Sequence, residues 1–297
     1  MANLMTFTEH LQELRKRIKY CFYSVIGGAL LCYAVRKELF LILVQPLIKA
    51  WTDAGLGEPK LHFQNPIEPF FTYLKIALIS GLFLSAPVIF YQIWQFIAPG
   101  LYKNEKRYVI PFTVASAVFF LGGAAFGYFM VFPYAFQFFF AVAEQNVGLM
   151  QNMPGGKFEL QATLMMGEIL GLIWRLLLAF GIIFELPLVI FFLSLAGIVD
   201  YRQLWRFNRY FVILSFVIGA ALTPPDVITQ LFMAGPLLVL YNLSILLSYF
   251  FTRKRVQAAD LEKKKWEQKD KEVEEEEAEE EEAEEEEAEE EEEEGEK

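Results

Sequence analysis

The sequence predicts an all-α membrane protein built from six kinked transmembrane helices. Three observations carry this expectation. The 297 residues are 55% hydrophobic and 16% aromatic, with 30 Phe, a composition suited to a chain that faces lipid. Apolar stretches recur at 20–35, 70–104, 108–143, 169–199, 210–225 and 227–252, and a helix needs about 20 apolar residues to cross a hydrocarbon core of about 30 Å. Proline falls inside or at the edges of these stretches, at Pro87, Pro111, Pro133, Pro187 and Pro236. Each removes a helix hydrogen bond and bends the axis, so the spans are expected to lean together as a curved, cupped, glove-like wall and not as a straight bundle.

Three domains follow. Residues 1–19 read as an amphipathic N-terminal cytoplasmic helix, with Phe7, Leu11, Leu14 and Ile18 on one stripe. Residues 20–252 form the six-helix transmembrane domain. The first apolar stretch can run on through Arg36, Lys37 and Glu38 into 39–44 as a water-exposed helix end. Residues 46–68 and 144–163 read as long loops covering one face. The fifth stretch is short, about 24 Å if wholly helical, and the run Thr223-Pro224-Pro225-Asp226 turns it directly into the sixth. A short span thins the bilayer or draws water in, so a thinned or wetted region is expected there. Residues 253–297 read as a charged, mostly disordered C-terminal tail. Residues 272–297 hold twenty Glu and one Lys, a net of −19, so the rest of the chain carries +8, the difference from the overall −11. Such a run is solvated and self-repelling.

Orientation is set by Lys and Arg near the span ends. Arg15, Lys16, Arg17 and Lys19 precede span 1. Lys103, Lys106 and Arg107 lie between spans 2 and 3, Arg202, Arg206 and Arg209 between spans 4 and 5, and Arg253, Lys254 and Arg255 follow span 6. The opposite side is poorer in basic residues, so both termini are expected in the cytoplasm. Glu9, His10 and Glu13 precede any apolar core, against a cleavable signal peptide.

Several chemistries are not expected. Cys21 and Cys32 lie about three turns apart on one helix face, with no metal or redox spacing. His10 and His62 are the two histidines, both outside the spans, and no H-E-x-x-H, G-x-S-x-G or G-x-x-x-x-G-K-[ST] run occurs. No enzyme, cofactor, metal or nucleic-acid partner is therefore expected.

The acids are more telling. Glu185, in Phe184-Glu185-Leu186-Pro187, lies deep in an apolar span. A charge at the bilayer centre costs about 2.5–3.5 kcal/mol on insertion scales and marks a functional position. Glu13 and Glu105 lie among basic residues on the cytoplasmic side. Each can pair locally, Glu13 with Arg17 at i+4 and Glu105 with Lys103, Lys106 or Arg107. Together they can grip guanidinium groups bidentately, with Phe96 and Trp94 as an aromatic rim. The alternative function is a proton-coupled small-molecule transporter using Glu185 and Arg175. Those two are about 15 Å apart along one helix, too far to pair directly, and no inverted repeat is evident.

Four segments resemble the TatC family, the polytopic subunit of the twin-arginine protein translocase. They are Glu9-His10-Leu11-x-Glu13-Leu14-Arg15-x-Arg17, Phe96-x-x-Pro99-x-Leu101-x-x-x-Glu105, Phe184-Glu185-x-Pro187 and Leu222-Thr223-Pro224-Pro225-Asp226. The resemblance runs in order over about 6–252 and leaves out the Glu-rich tail. It implies a receptor and core component that binds twin-arginine signal peptides and supports proton-gradient-driven export of folded proteins, without nucleotide, in the cytoplasmic (inner) membrane. It implies Glu13, Glu105 and Phe96 as the signal-peptide site and Glu185 as an intramembrane polar group in a cupped concave face. Thr223, Gln230 and Asp226 are implied as docking positions for single-span partners of the TatA and TatB type. Membrane lipids and further copies of the chain in a receptor complex are the other expected partners.

Overall fold

Apolar side chains at helical spacing put nearly all of the described chain into helices, and small residues decide where those helices touch. The computed structural model describes residues 7–97, 109–151, 163–222 and 227–295. The order is α1 (Phe7–Ala34), α2 (Arg36–Asp53), β1 (Leu61–His62), α3 (Glu68–Ile97), α4 (Val109–Phe126), a π-turn at Gly127–Val131, α5 (Phe132–Gln151), β2 (Leu164–Met165), α6 (Met166–Phe184), α7 (Leu186–Leu195), α8 (Tyr201–Leu222) and α9 (Val227–Gly295). Among the described residues, four segments are long and apolar enough to cross a membrane: Glu68–Ile97, Val109–Ala143, Met166–Leu195 and Gln230–Lys254. The apolar parts of α1 and α8 are shorter, because Arg15 to Lys19 lie in the first half of α1 and Arg202 to Arg209 in the first turns of α8. Leu30, Phe129 and Phe250 are each 70% exposed, a surface that suits hydrocarbon and not water.

The amphipathic segment and the first span are one unbroken helix. Helix α1 lies against α3 backbone to backbone. A Cβ on Gly81 would collide with the Ala29 backbone, and one on Gly28 would come within 2.7 Å of the Gly81 carbonyl and the Ser85 hydroxyl. Ser85 Oγ donates to the Ser24 carbonyl at 2.7 Å. This is the small-residue packing that membrane helices use where no hydrophobic drive distinguishes protein from lipid.

The segment after Val35 departs from the expected water-exposed helix end. It breaks at Val35 and forms α2, which turns its apolar face onto α5. Val44 and Leu47 are 1% and 2% exposed, packed in a core with Phe132, Phe136 and Phe180. Trp51 meets Phe140 edge to face at 5.2 Å. The apolar residues from Leu39 to Leu47 outweigh the three charges that precede them.

Two short strands tie the starts of two long helices together. Leu61 and His62 pair in parallel with Leu164 and Met165. Glu68 adds a second tie: one carboxylate oxygen accepts the Gln64 N–H at 2.7 Å and the other the Gly167 N–H at 2.8 Å. Helices α3 and α6 therefore begin at one level and run the same way.

Some prolines inside the described helices leave the helix continuous, and one stands at a break. Pro46, Pro87 and Pro236 lie inside α2, α3 and α9. Pro187 stands in the first turn of α7, so no N–H is available for the Ile183 carbonyl, and the α6–α7 helix breaks at Glu185. Helices α8 and α9 approach at Gly219, where a Cβ would stand 3.4 Å from the Gln230 carbonyl oxygen. Tyr241 stacks on Phe211 at 3.9 Å and donates its hydroxyl to the Leu204 carbonyl at 2.9 Å.

Where the sequence led us to expect a mostly disordered tail at 253–297, α9 continues without a break to Gly295. Ala and Glu both have high helix propensity. An ion pair from Arg202 to Asp260 at 2.7 Å ties this extension to the start of α8.

The α1–α3 contact gives a direct test. Gly81→Leu is expected to force the two backbones apart and cost about 1–3 kcal/mol, as overpacking does. Thermal unfolding in detergent should show a midpoint several degrees lower, whereas Gly27→Leu, where a Cβ would meet nothing within 4 Å, should leave it unchanged.

Candidate functional site

The α1–α3 contact fixes the register of two polar clusters far apart in sequence. From Gly28 back to Arg17 is eleven residues on α1, and from Gly81 on to Gln92 is eleven residues on α3. The helices run antiparallel, so both steps cover about 16 Å in the same direction and bring Arg17 opposite Gln92. Arg17 Nε donates to Glu13 Oε1 at 2.9 Å, and a second guanidinium nitrogen closes the ion pair. Its NH1 donates to Gln95 Oε1 at 2.5 Å and Gln92 Oε1 at 3.2 Å. Gln95 in turn donates to the Tyr91 hydroxyl at 2.6 Å.

Three side-chain oxygens thus converge on one guanidinium. Glu13 and Arg17 side chains are each 18% exposed, which strengthens the pair relative to a surface one. The second Glu13 oxygen is buried and has no hydrogen-bond partner among the described residues, so the cluster keeps an acceptor in reserve. One turn before Glu13, His10 stacks on Phe96 with ring centroids 4.4 Å apart and planes 15° from parallel. The acid and the aromatic singled out in the sequence thus share one end of the α1–α3 pair. Glu105 lies outside the described residues.

Trp94 corrects an expectation. It does not form a rim with Phe96: it is 6% exposed and points the other way, into a core with Phe112, Leu188 and Phe192. The periodicity explains it, since positions two apart on a helix do not share a face. Its indole Nε1 donates to the Ser116 hydroxyl at 2.9 Å.

That hydroxyl leads to the intramembrane acid. Glu185 occupies the break between α6 and α7 and is 9% exposed. Its N–H bonds the Ile182 carbonyl at 3.1 Å, and its own carbonyl accepts the Val189 N–H at 2.9 Å, so the backbone is satisfied across the interruption. The side chain interacts with Ser116, while one carboxyl oxygen is buried with no hydrogen-bond partner among the described residues. Trp94 of α3, Ser116 of α4 and Glu185 therefore form a polar thread through apolar packing. Arg175 does not meet Glu185; its Nε donates to the Gly171 carbonyl of its own helix at 2.9 Å. This agrees with their separation of about 15 Å along the helix axis.

Of the remaining sequence candidates, Gln230 is half-buried at the start of α9, against Gly219. Thr223 and Asp226 lie outside the described residues. Sequence reasoning missed Gln92, Gln95 and Ser116. The signal for the first two was available, as two Gln three residues apart at the end of an otherwise apolar helix. Ser116 carried none, because small hydroxyl residues are common in membrane helices.

Helices of spanning length, apolar surfaces and buried polar clusters define a multi-pass membrane protein. The family model for the Sec-independent protein translocase protein TatC matches residues 9–236. A TatC protein of Desulforapulum autotrophicum is 45% identical over 251 residues, covering 84% of this chain and 86% of its own length. That of Aquifex aeolicus is 39% identical, covering 84% and 98%, and that of Escherichia coli K12 is 36% identical, covering 82% and 88%. A crystal structure described as the twin arginine translocase receptor TatC superimposes with a TM-score of 0.67 at 38% identity, over 82% of this chain and 99% of the other. The chain belongs to the TatC family, and it is a multi-pass protein of the inner membrane that serves Sec-independent protein translocation.

Proposed function

We propose that this chain is the signal-peptide receptor of a twin-arginine translocase, with the α1–α3 cluster as its arginine-binding site. The observation that carries the reading is the convergence of Glu13, Gln92 and Gln95 on one guanidinium, with a further buried carboxylate oxygen uncommitted. Arginine stays charged at any physiological pH, so a receptor for it needs fixed acceptor oxygens. A bidentate, charge-assisted contact supplies both strength and discrimination against lysine. Glu105, eight residues beyond the end of α3 in sequence, is the second acid of the pair, and Phe96, stacked on His10, is the aromatic contact. Six spans with both termini in the cytoplasm put this cluster where a cargo's signal arrives. The fusion of the amphipathic segment with the first span in α1 supports that placement.

The other roles rest on the family and on position. Thr223 and Asp226, which fall between α8 and α9 in sequence, and Gln230 of α9 are the docking positions for single-span partners of the TatA and TatB type. The transport step is driven by the proton gradient, in a receptor complex of several copies. Glu185 supplies a polar foothold in the membrane: its unpartnered oxygen can take water or a partner's polar side chain during that step.

Glu13→Ala and Glu105→Ala are expected to weaken a twin-arginine peptide each by about 10-fold or more, since hydrogen bonds to charged groups contribute about 1.5–3 kcal/mol. A twin-lysine peptide should bind the unaltered protein similarly weakly. Titration of a labelled peptide onto detergent-purified protein reads both, and unchanged affinity in both variants would falsify the assignment. Glu185→Gln is expected to keep peptide affinity and to slow cargo uptake in energised membrane vesicles; full transport in that variant would remove Glu185 from the mechanism.

A further inference from the structure

Two cations inside the membrane spans have no role in the receptor. Lys75 lies on α3, seven residues after Glu68, and Arg175 lies on α6, eight residues after Gly167. Glu68 and Gly167 touch at 2.8 Å, so the two cations sit at nearly one depth, about 10 and 12 Å along their parallel helices. Half a hydrocarbon core is about 15 Å. Helical side chains lean toward the N-terminus of their helix, and for both residues that is the nearer membrane surface.

The two cations flank one cavity. A cavity of about 60 Å³ opens between α2, α3 and α6, lined by Lys75, Ile79, Phe83, Leu170, Gly171 and Trp174 among others. Arg175 stands at its edge: its Nε bonds the carbonyl of Gly171, one of the lining residues, and a guanidinium nitrogen lies 3.8 Å from where a Cβ of Gly171 would be. Both side chains are exposed, and neither forms an ion pair among the described residues. Glu68 lies within electrostatic range of Lys75, but its two oxygens already accept the Gln64 and Gly167 N–H groups. Glu168, a further acid at this end, is exposed in the first turn of α6. Apart from the field of Glu68 on Lys75, the two cations face lipid with no ion-pair partner among the described residues, which is costly unless an anion meets them.

We propose that Lys75 and Arg175 form a binding site for the phosphate of an anionic phospholipid, with an acyl chain lying along the apolar slot beneath. The depth and lean of both side chains match snorkelling to the phosphate level. An apolar cavity of about 60 Å³ takes the first few methylenes of an acyl chain and excludes a helix, which favours a lipid over a partner's transmembrane segment. The site is separate from the α1–α3 cluster and does not depend on the receptor assignment.

Native mass spectrometry of the full chain in detergent tests this, with phosphatidylglycerol and phosphatidylcholine of identical acyl chains as probes. The unaltered protein should retain phosphatidylglycerol several-fold over phosphatidylcholine, and the K75Q/R175Q double variant should retain both equally. The charge-keeping variants K75R and R175K should behave as the unaltered protein. Equal retention in the unaltered protein, or an undiminished preference in the double variant, overturns the proposal, as does loss of preference in the charge-keeping variants. Inorganic phosphate at millimolar concentration should not displace the lipid; displacement would mean a free-phosphate site and would overturn the lipid assignment. Twin-arginine peptide affinity, read on the same samples, should be unchanged by the double variant, so this result and that of the receptor test remain distinct.

Discussion

The close approach of α1 and α3 is the constraint on which the candidate site depends. Gly28 and Gly81 let two backbones touch, and any side chain there would separate them. The pairing register then carries eleven residues along both helices to the Arg17 guanidinium and its acceptors on Gln92 and Gln95. In lipid no hydrophobic drive selects this pairing, so shape complementarity and the Ser85 to Ser24 hydrogen bond must do so. A polar cluster made from residues 75 and 78 positions apart, the proposed recognition site, is thereby held by a contact about three turns away from it.

A second constraint runs through the interior. Each buried polar group in a membrane protein must find a partner within the protein, or be useful enough to leave unpaired. The helix break at Glu185 obeys this for the backbone, since its N–H and carbonyl both bond across the interruption. The side chain obeys it only in part, with Ser116 on one side and an orphaned oxygen on the other. The same imbalance recurs at Glu13. Two carboxylates, Glu13 and Glu185, each keep an oxygen without a partner among the described residues, as the proposed binding and transport roles require. Lys75 and Arg175 show the opposite sign of the same condition.

The fold was legible where a single physical rule dominates. Apolar length marked the four long spans, and Pro187 beside Glu185 marked a break. Rules in conflict were harder to read. The charges at Arg36 to Glu38 suggested a water-exposed end, but the apolar face from Leu39 to Leu47 won and made α2 a buried helix. The Glu-rich tail set self-repulsion against helix propensity, and α9 follows propensity. The site was half legible: Glu13 and Phe96 were named from the sequence and lie at one end of the α1–α3 pair. Trp94 was misassigned because its neighbourhood in sequence is not its neighbourhood on the helix. Gln92 and Gln95 were missed because their importance comes from the register of two helices, which no local pattern encodes.

Photo-crosslinking measures the central claim most directly. A twin-arginine signal peptide carrying a photoreactive residue beside its arginine pair is bound to the purified chain, irradiated, and its adducts are mapped by mass spectrometry. Adducts concentrated on residues 10–17 of α1 and 91–96 of α3, and lost in Glu13→Ala, are the result predicted. Adducts confined to α8 and α9, or unchanged in that variant, would contradict the account.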